Sequence, residues 1–112
     1  MLTILFHMTI KSGLEEKCGA LAKDLIASTK AEDKGCLNYS FFRRGDNPRE
    51  LVLFEQWQDA DSLNAHIARL QKLFGPPDDQ APVPPTHPRR RLPKAFMDLF
   101  DETEAVRYEV IG

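Results

Sequence analysis

From Leu2 to Ile10 the chain alternates, with Leu2, Ile4, Phe6, Met8 and Ile10 on one side and Thr3, Leu5, His7 and Thr9 on the other. A period of two is that of a strand. Ser12-Gly13 interrupts it, and Leu14, Cys18, Leu21, Ala22, Leu25 and Ile26 then recur at three- and four-residue intervals among Glu15, Glu16, Lys17, Lys23 and Asp24. That spacing predicts an amphipathic helix of about five turns. Gly35 is placed to end the helical region, and Cys36 to Phe42 reads as a second strand, rich in aromatic residues with high β propensity. Arg43 to Glu50 carries Gly45, Asp46, Asn47 and Pro48 and is a turn. Leu51 to Trp57 is the third strand. Asp59 can cap a second helix, whose buried stripe is Leu63, His66, Ile67, Leu70 and Phe74.

Seven of the eight prolines lie between Pro76 and Pro93, a stretch that also holds Asp78-Asp79 and Arg89-Arg90-Arg91. Proline lacks the N–H that helices and sheets need, so residues 75–93 are predicted to be a long loop inserted in a single domain spanning 1–112. Pro93 suits the first turn of a short helix bearing Leu92, Phe96, Leu99 and Phe100. A last strand, Ala105 to Ile111, alternates Val106, Tyr108 and Val110 with Arg107 and Glu109. The order β-α-β-β-α-(loop, short helix)-β is the ferredoxin-like arrangement, an α+β fold with a four-stranded antiparallel sheet. Helices cover one face of such a sheet, yet these strands are apolar on both sides. The simplest cover for the second face is an identical subunit, so a homodimer is expected.

Composition adds limits. Apolar residues make up 42% of the 112 residues, charged residues 29%, and the formal net charge is −2. Nothing there draws the chain to nucleic acid or to an anionic membrane, and three adjacent arginines are too few to change that. Cys18 and Cys36 have neither metal-ligand spacing nor a dense disulfide framework, so both are expected to be reduced and structural. No signal peptide or membrane span is apparent, and a cytoplasmic location is the default expectation.

The polar residues within apolar segments are the candidates for chemistry. Parity along the third strand puts Leu51, Leu53, Glu55 and Trp57 on one face. A carboxylate in that setting is either a proton-transfer group or half of an ion pair, for instance with Arg107. His66 shares the stripe of the second helix and is either a satisfied core residue or a base that Glu55 orients. Trp57 is either core packing or a flat wall for an aromatic substrate. His7 reaches the same pocket or the dimer contact. Asn38 and Ser40 fall on one face of the second strand and Tyr39 on the other, so they cannot all line one cavity; Asn38 is retained as a candidate for substrate binding.

Met1-Leu2-Thr3-Ile4, Lys34-Gly35-Cys36-Leu37-x-Tyr39, and Glu55-Gln56-Trp57 followed by Leu63-x-x-His66 resemble the antibiotic biosynthesis monooxygenase family, the dimeric α/β-barrel proteins that include quinol monooxygenases. The resemblance implies a cofactor-independent monooxygenase that oxidises a quinol, a hydroxylated aromatic or a polyketide-like molecule with dioxygen, without metal, flavin or haem. It implies His66 and Glu55 as catalytic residues and Trp57 as a substrate-binding residue; His7 and Asn38 are added as substrate-binding candidates from their place on the strands alone. The chain departs from the family's patterns in places. A second histidine common in the quinol branch is Gln71 here, and the asparagine and tyrosine of the anthrone-oxidising relatives look like Leu53 and Leu63. Haem cleavage is not expected, since the first strand has no asparagine. Two other readings stay open. One is an isomerase of a small carbonyl or phosphorylated metabolite, with the arginines holding an anion; the other is a non-catalytic ligand-binding or stress-response dimer.

Overall fold

A computed structural model describes residues 1–78 and 92–112. Most of the loop predicted for residues 75–93, with Arg89-Arg90-Arg91, falls outside these. The described chain forms β1 (Leu2–Ile10), α1 (Glu15–Glu32), β2 (Cys36–Arg43), β3 (Glu50–Trp57), α2 (Ala60–Phe74), α3 (Lys94–Met97) and β4 (Phe100–Tyr108). All pairings are antiparallel and the sheet order is β2-β3-β1-β4. This is the ferredoxin-like fold expected from the sequence, and the sheet is open at β2 and β4 within one chain.

Register sets the two faces. Leu2, Ile4, Phe6 and Met8 pair with Trp57, Glu55, Leu53 and Leu51, and this face packs under α1 and α2. Cys18, Ala22, Leu25 and Thr29 of α1 and Leu63, His66, Ile67 and Leu70 of α2 are buried against it. On the opposite face Leu5 pairs with Phe54 and Val106, while Phe54 pairs with Ser40. Phe42 and Tyr108 on that face are 58% and 47% exposed, an apolar cost that a lone domain rarely carries.

Local signals explain the element ends. Gly13 has φ +89°, a backbone that favours glycine, and its N–H donates to the Glu15 carboxylate at 3.1 Å. Glu15 and Glu16 in the first turn of α1 and Lys30 in the last complement the helix dipole. The Asp59 carboxylate caps α2 by accepting from the Ser62 N–H at 2.8 Å and the Ser62 hydroxyl at 2.7 Å. Gly75, with φ +107°, closes the same helix.

Two expectations need correction. Gly35 does not end α1 through a left-handed turn. Asp33 forms the C-cap, its N–H donating to the Thr29 carbonyl, and Gly35 is glycine because a Cβ there would collide with the Ser62 side chain. β4 begins at Phe100 and ends at Tyr108 rather than running from Ala105 to Ile111. α3 stops at Met97, which frees Phe100 to pair with Ile10 after a register shift in β1.

Candidate functional site

The inner face of the sheet, α1 and α2 line a partly open cavity of about 50 Å³. Its walls are mostly aliphatic and aromatic, with Cys18 and Ala22 from α1, Ile67 and Leu70 from α2, and Leu92 and Phe96 from the segment around α3. Tyr39, Glu55 and His66 bring the oxygen and nitrogen chemistry.

β3 positions Glu55. Strand parity turns it under the helices beside Tyr39, its partner across β2–β3, and leaves it 7% exposed. Oε1 accepts a hydrogen bond from the Trp57 indole N–H at 2.8 Å. Arg107 shares the same row across the sheet, with Ile4 standing between it and Glu55. Trp57 is fully buried and does not line the cavity; its ring leans on that of His66, with centroids 4.6 Å apart at 39°. The tryptophan therefore packs behind the histidine, and is not itself the wall that a ligand would touch.

His66 is 1% exposed on the buried stripe of α2. Its orienting partner is Asp33, with Nδ1 at 2.7 Å from Oδ2, rather than Glu55 as expected. Asp33 in turn accepts from Arg69 Nε at 2.9 Å and Nη2 at 2.7 Å, and Arg69 Nη1 donates to the Ser28 hydroxyl at 2.7 Å. One turn of α2 thus carries both the imidazole and the guanidinium, and the end of α1 carries the carboxylate between them. Burial pushes Asp33 up, but the hydrogen bonds from Arg69 and His66 outweigh it and hold the carboxyl below its ordinary range. For His66 burial dominates and lowers its pKa, partly opposed by Asp33. The pair is a carboxylate beside a neutral imidazole at neutral pH.

Tyr39 presents its ring edge to His66, with centroids 5.4 Å apart. Burial, with the Glu55 charge added, pushes the phenol well above its ordinary pKa and keeps it a hydrogen-bond donor. Burial also raises the Cys18 thiol, which makes it a small apolar wall group rather than a nucleophile.

The structure divides the expected set. His66 and Glu55 both line the cavity, and Trp57 supports them from behind. His7 and Asn38 are exposed and lie on the opposite face of the sheet. Asn38 Nδ2 donates to Gln56 Oε1, and Gln56 Nε2 donates to Thr3 Oγ1 at 3.1 Å, so Asn38 belongs to a polar ladder there. Sequence reasoning misses Asp33 and Arg69 as parts of the site and leaves open whether Tyr39 lines it. Arg69, three residues after His66 and so on the same side of the helix, was a usable signal for a buried polar network. Asp33 lies in the turn between elements, where periodicity gives no direction.

Among the described residues no group of three or more His, Cys, Asp or Glu side chains could hold a metal ion, and no helix is long and apolar enough to cross a membrane.

Comparison with known proteins agrees with this architecture. The sequence profile described as antibiotic biosynthesis monooxygenase matches residues 1–69. The chain belongs to the antibiotic biosynthesis monooxygenase family. A search of curated proteins gives no match. Among solved structures, a conserved protein from Methanosarcina mazei Go1 is similar at TM-score 0.69 and 23% identity, covering 96% of this chain and 89% of that one. A Pseudomonas aeruginosa protein is similar at TM-score 0.73 and 16% identity, covering 99% and 94%. A structure named antibiotic biosynthesis monooxygenase is similar at TM-score 0.65 and 20% identity over 100% of both chains. At these identities the structural likenesses establish the family's fold in this chain.

Proposed function

We propose that the protein is a cofactor-independent monooxygenase acting on a hydroxylated aromatic or quinol. The observation that carries this reading is the neutral His66, held by a buried carboxylate, on the wall of an otherwise apolar cavity in a chain of this family. His66 removes a phenolic proton, and the resulting anion is electron-rich enough to reduce dioxygen directly. For a hydroquinone, one oxygen atom enters the ring to give a hydroxyquinone and the other leaves as water. The substrate supplies all four electrons. Glu55 and the protonated Tyr39 hold the polar end of the ring, and the aliphatic lining excludes water.

Cavity size narrows the substrate. An apolar cavity of ~150 Å³ accepts a benzene ring, whereas this partly open one has about 50 Å³. A single-ring quinol therefore enters by displacing wall side chains, and a tricyclic anthrone is a poor fit. The same tightness favours a second reading, a non-catalytic ligand-binding dimer. Dimerisation is proposed under either reading, through the exposed sheet face of Phe42, Phe54, Leu5 and Tyr108, and a solution mass of two chains is the expected result. An oxygen electrode separates the functions. Uptake with monocyclic quinols supports the monooxygenase; an isomerised substrate with no oxygen consumed, or no reaction at all, overturns it.

A further inference from the structure

The network behind His66 constrains what the cavity can bind. Asp33 Oδ2 lies 2.7 Å from His66 Nδ1, and a carboxylate only accepts hydrogen bonds, so Nδ1 must carry the proton. Both carboxylate oxygens are engaged, Oδ1 by Arg69 Nε and Oδ2 by Arg69 Nη2 and His66, which fixes the carboxylate in position and in its ionised form. The groups that surround the imidazole come from four elements: Asp33 at the end of α1, Arg69 on α2, Glu55 on β3 and Tyr39 on β2. Of these, only Asp33 is hydrogen-bonded to Nδ1. His66 lines the cavity and Asp33 does not, so Nδ1 is committed to the protein and the nitrogen left for a ligand is Nε2.

We propose that Asp33 is a positioning residue that holds His66 as the Nδ1–H tautomer, so that Nε2 is an acceptor and the cavity selects a ligand presenting an ionisable O–H rather than a carbonyl. This rests on the reading of His66 as the base and deepens it: an Nε2–H tautomer in the same place would donate to a carbonyl oxygen and serve an isomerase-like polarisation instead. Arg69 acts one step further back. It holds Asp33 ionised and, through Ser28, ties the network to the body of α1.

The test has one readout that needs no activity. In protein labelled with nitrogen-15 histidine, with His66 assigned by its loss in His66→Gln, native His66 at pH 7.5 is expected to show a protonated Nδ1 and an unprotonated Nε2. In Asp33→Ala the Nε2–H form should become the major one. Asp33→Ala/Arg69→Ala, which leaves no unpaired guanidinium, should show the same switch if the single variant folds poorly. Kinetics form the second readout. With a quinol substrate kcat should fall about 100-fold in the variant while KM changes by less than about threefold, because the base is misdirected rather than the pocket emptied. A native Nε2–H or doubly protonated ring, or a tautomer that persists without Asp33, overturns the proposal. A tautomer switch in a protein that oxidises no quinol supports the role of Asp33 and overturns the monooxygenase reading alone.

Discussion

At the scale of single residues, Glu55, His66 and Asp33 are each held by a named neighbour. Trp57 illustrates the distinction between lining a site and supporting it. Its indole N–H donates to Glu55 at 2.8 Å, and its ring backs His66. Trp57→Phe keeps an aromatic ring there but removes the donor to a buried carboxylate, so unfolding should need about 1–3 kcal/mol less free energy in a denaturant titration. Quinol KM should move little. An unchanged stability would mean that the indole N–H does no work for Glu55. The sequence made Glu55, Trp57 and His66 legible because each breaks an apolar pattern that is otherwise regular. It misassigned the partner of His66, since hydrophobic periodicity records which face a residue occupies but not which loop carboxylate folds back upon it.

At the scale of elements, patterning was most reliable where a strand or helix has one wet and one dry side. β1, α1 and α2 follow the spacing of their apolar residues, and Asp59 caps α2 as its position suggested. The errors came where two constraints meet. β4 was displaced because Leu99 and Phe100 continue the apolar pattern of the short helix, whereas pairing with Ile10 claims Phe100 for the sheet. The sequence suggests a helix-ending role for Gly35, while its real constraint is the approach of Ser62 at the start of α2. Gly35→Ala should therefore destabilise by about 1–3 kcal/mol, the usual cost of overpacking a tight contact. The additional variant Ser62→Gly should recover part of that loss in a thermal melt. No recovery would show that some other contact requires glycine at 35. For His7 and Asn38 the sequence leaves open which face of the sheet meets the helices, and the register puts both on the outer face.

For the whole molecule, the Asp33–His66–Arg69 network links the site to stability as well as to chemistry. His66 is held neutral with a pKa below 6.5, so the unfolded chain binds its proton first as the pH falls. Its contribution to stability is present above 6.5 and is lost as the pH falls from there through the lower folded value. Asp33, held below 3.8, adds a loss of the same sign further into acid. Denaturant midpoints should thus fall between about pH 7 and 5, and His66→Gln should flatten that part of the curve. An equally steep fall in His66→Gln would assign the titration elsewhere. The same network ties the end of α1 to α2 beside the candidate site. The central claim, that the cavity beneath α2 performs an oxygenation with His66 as base, is tested most directly by incubating the protein with a monocyclic quinol under oxygen-18 gas and weighing the product. One labelled oxygen per product molecule is expected with the native protein and almost none with His66→Ala. Unlabelled product, or equal labelling with His66→Ala, would contradict it.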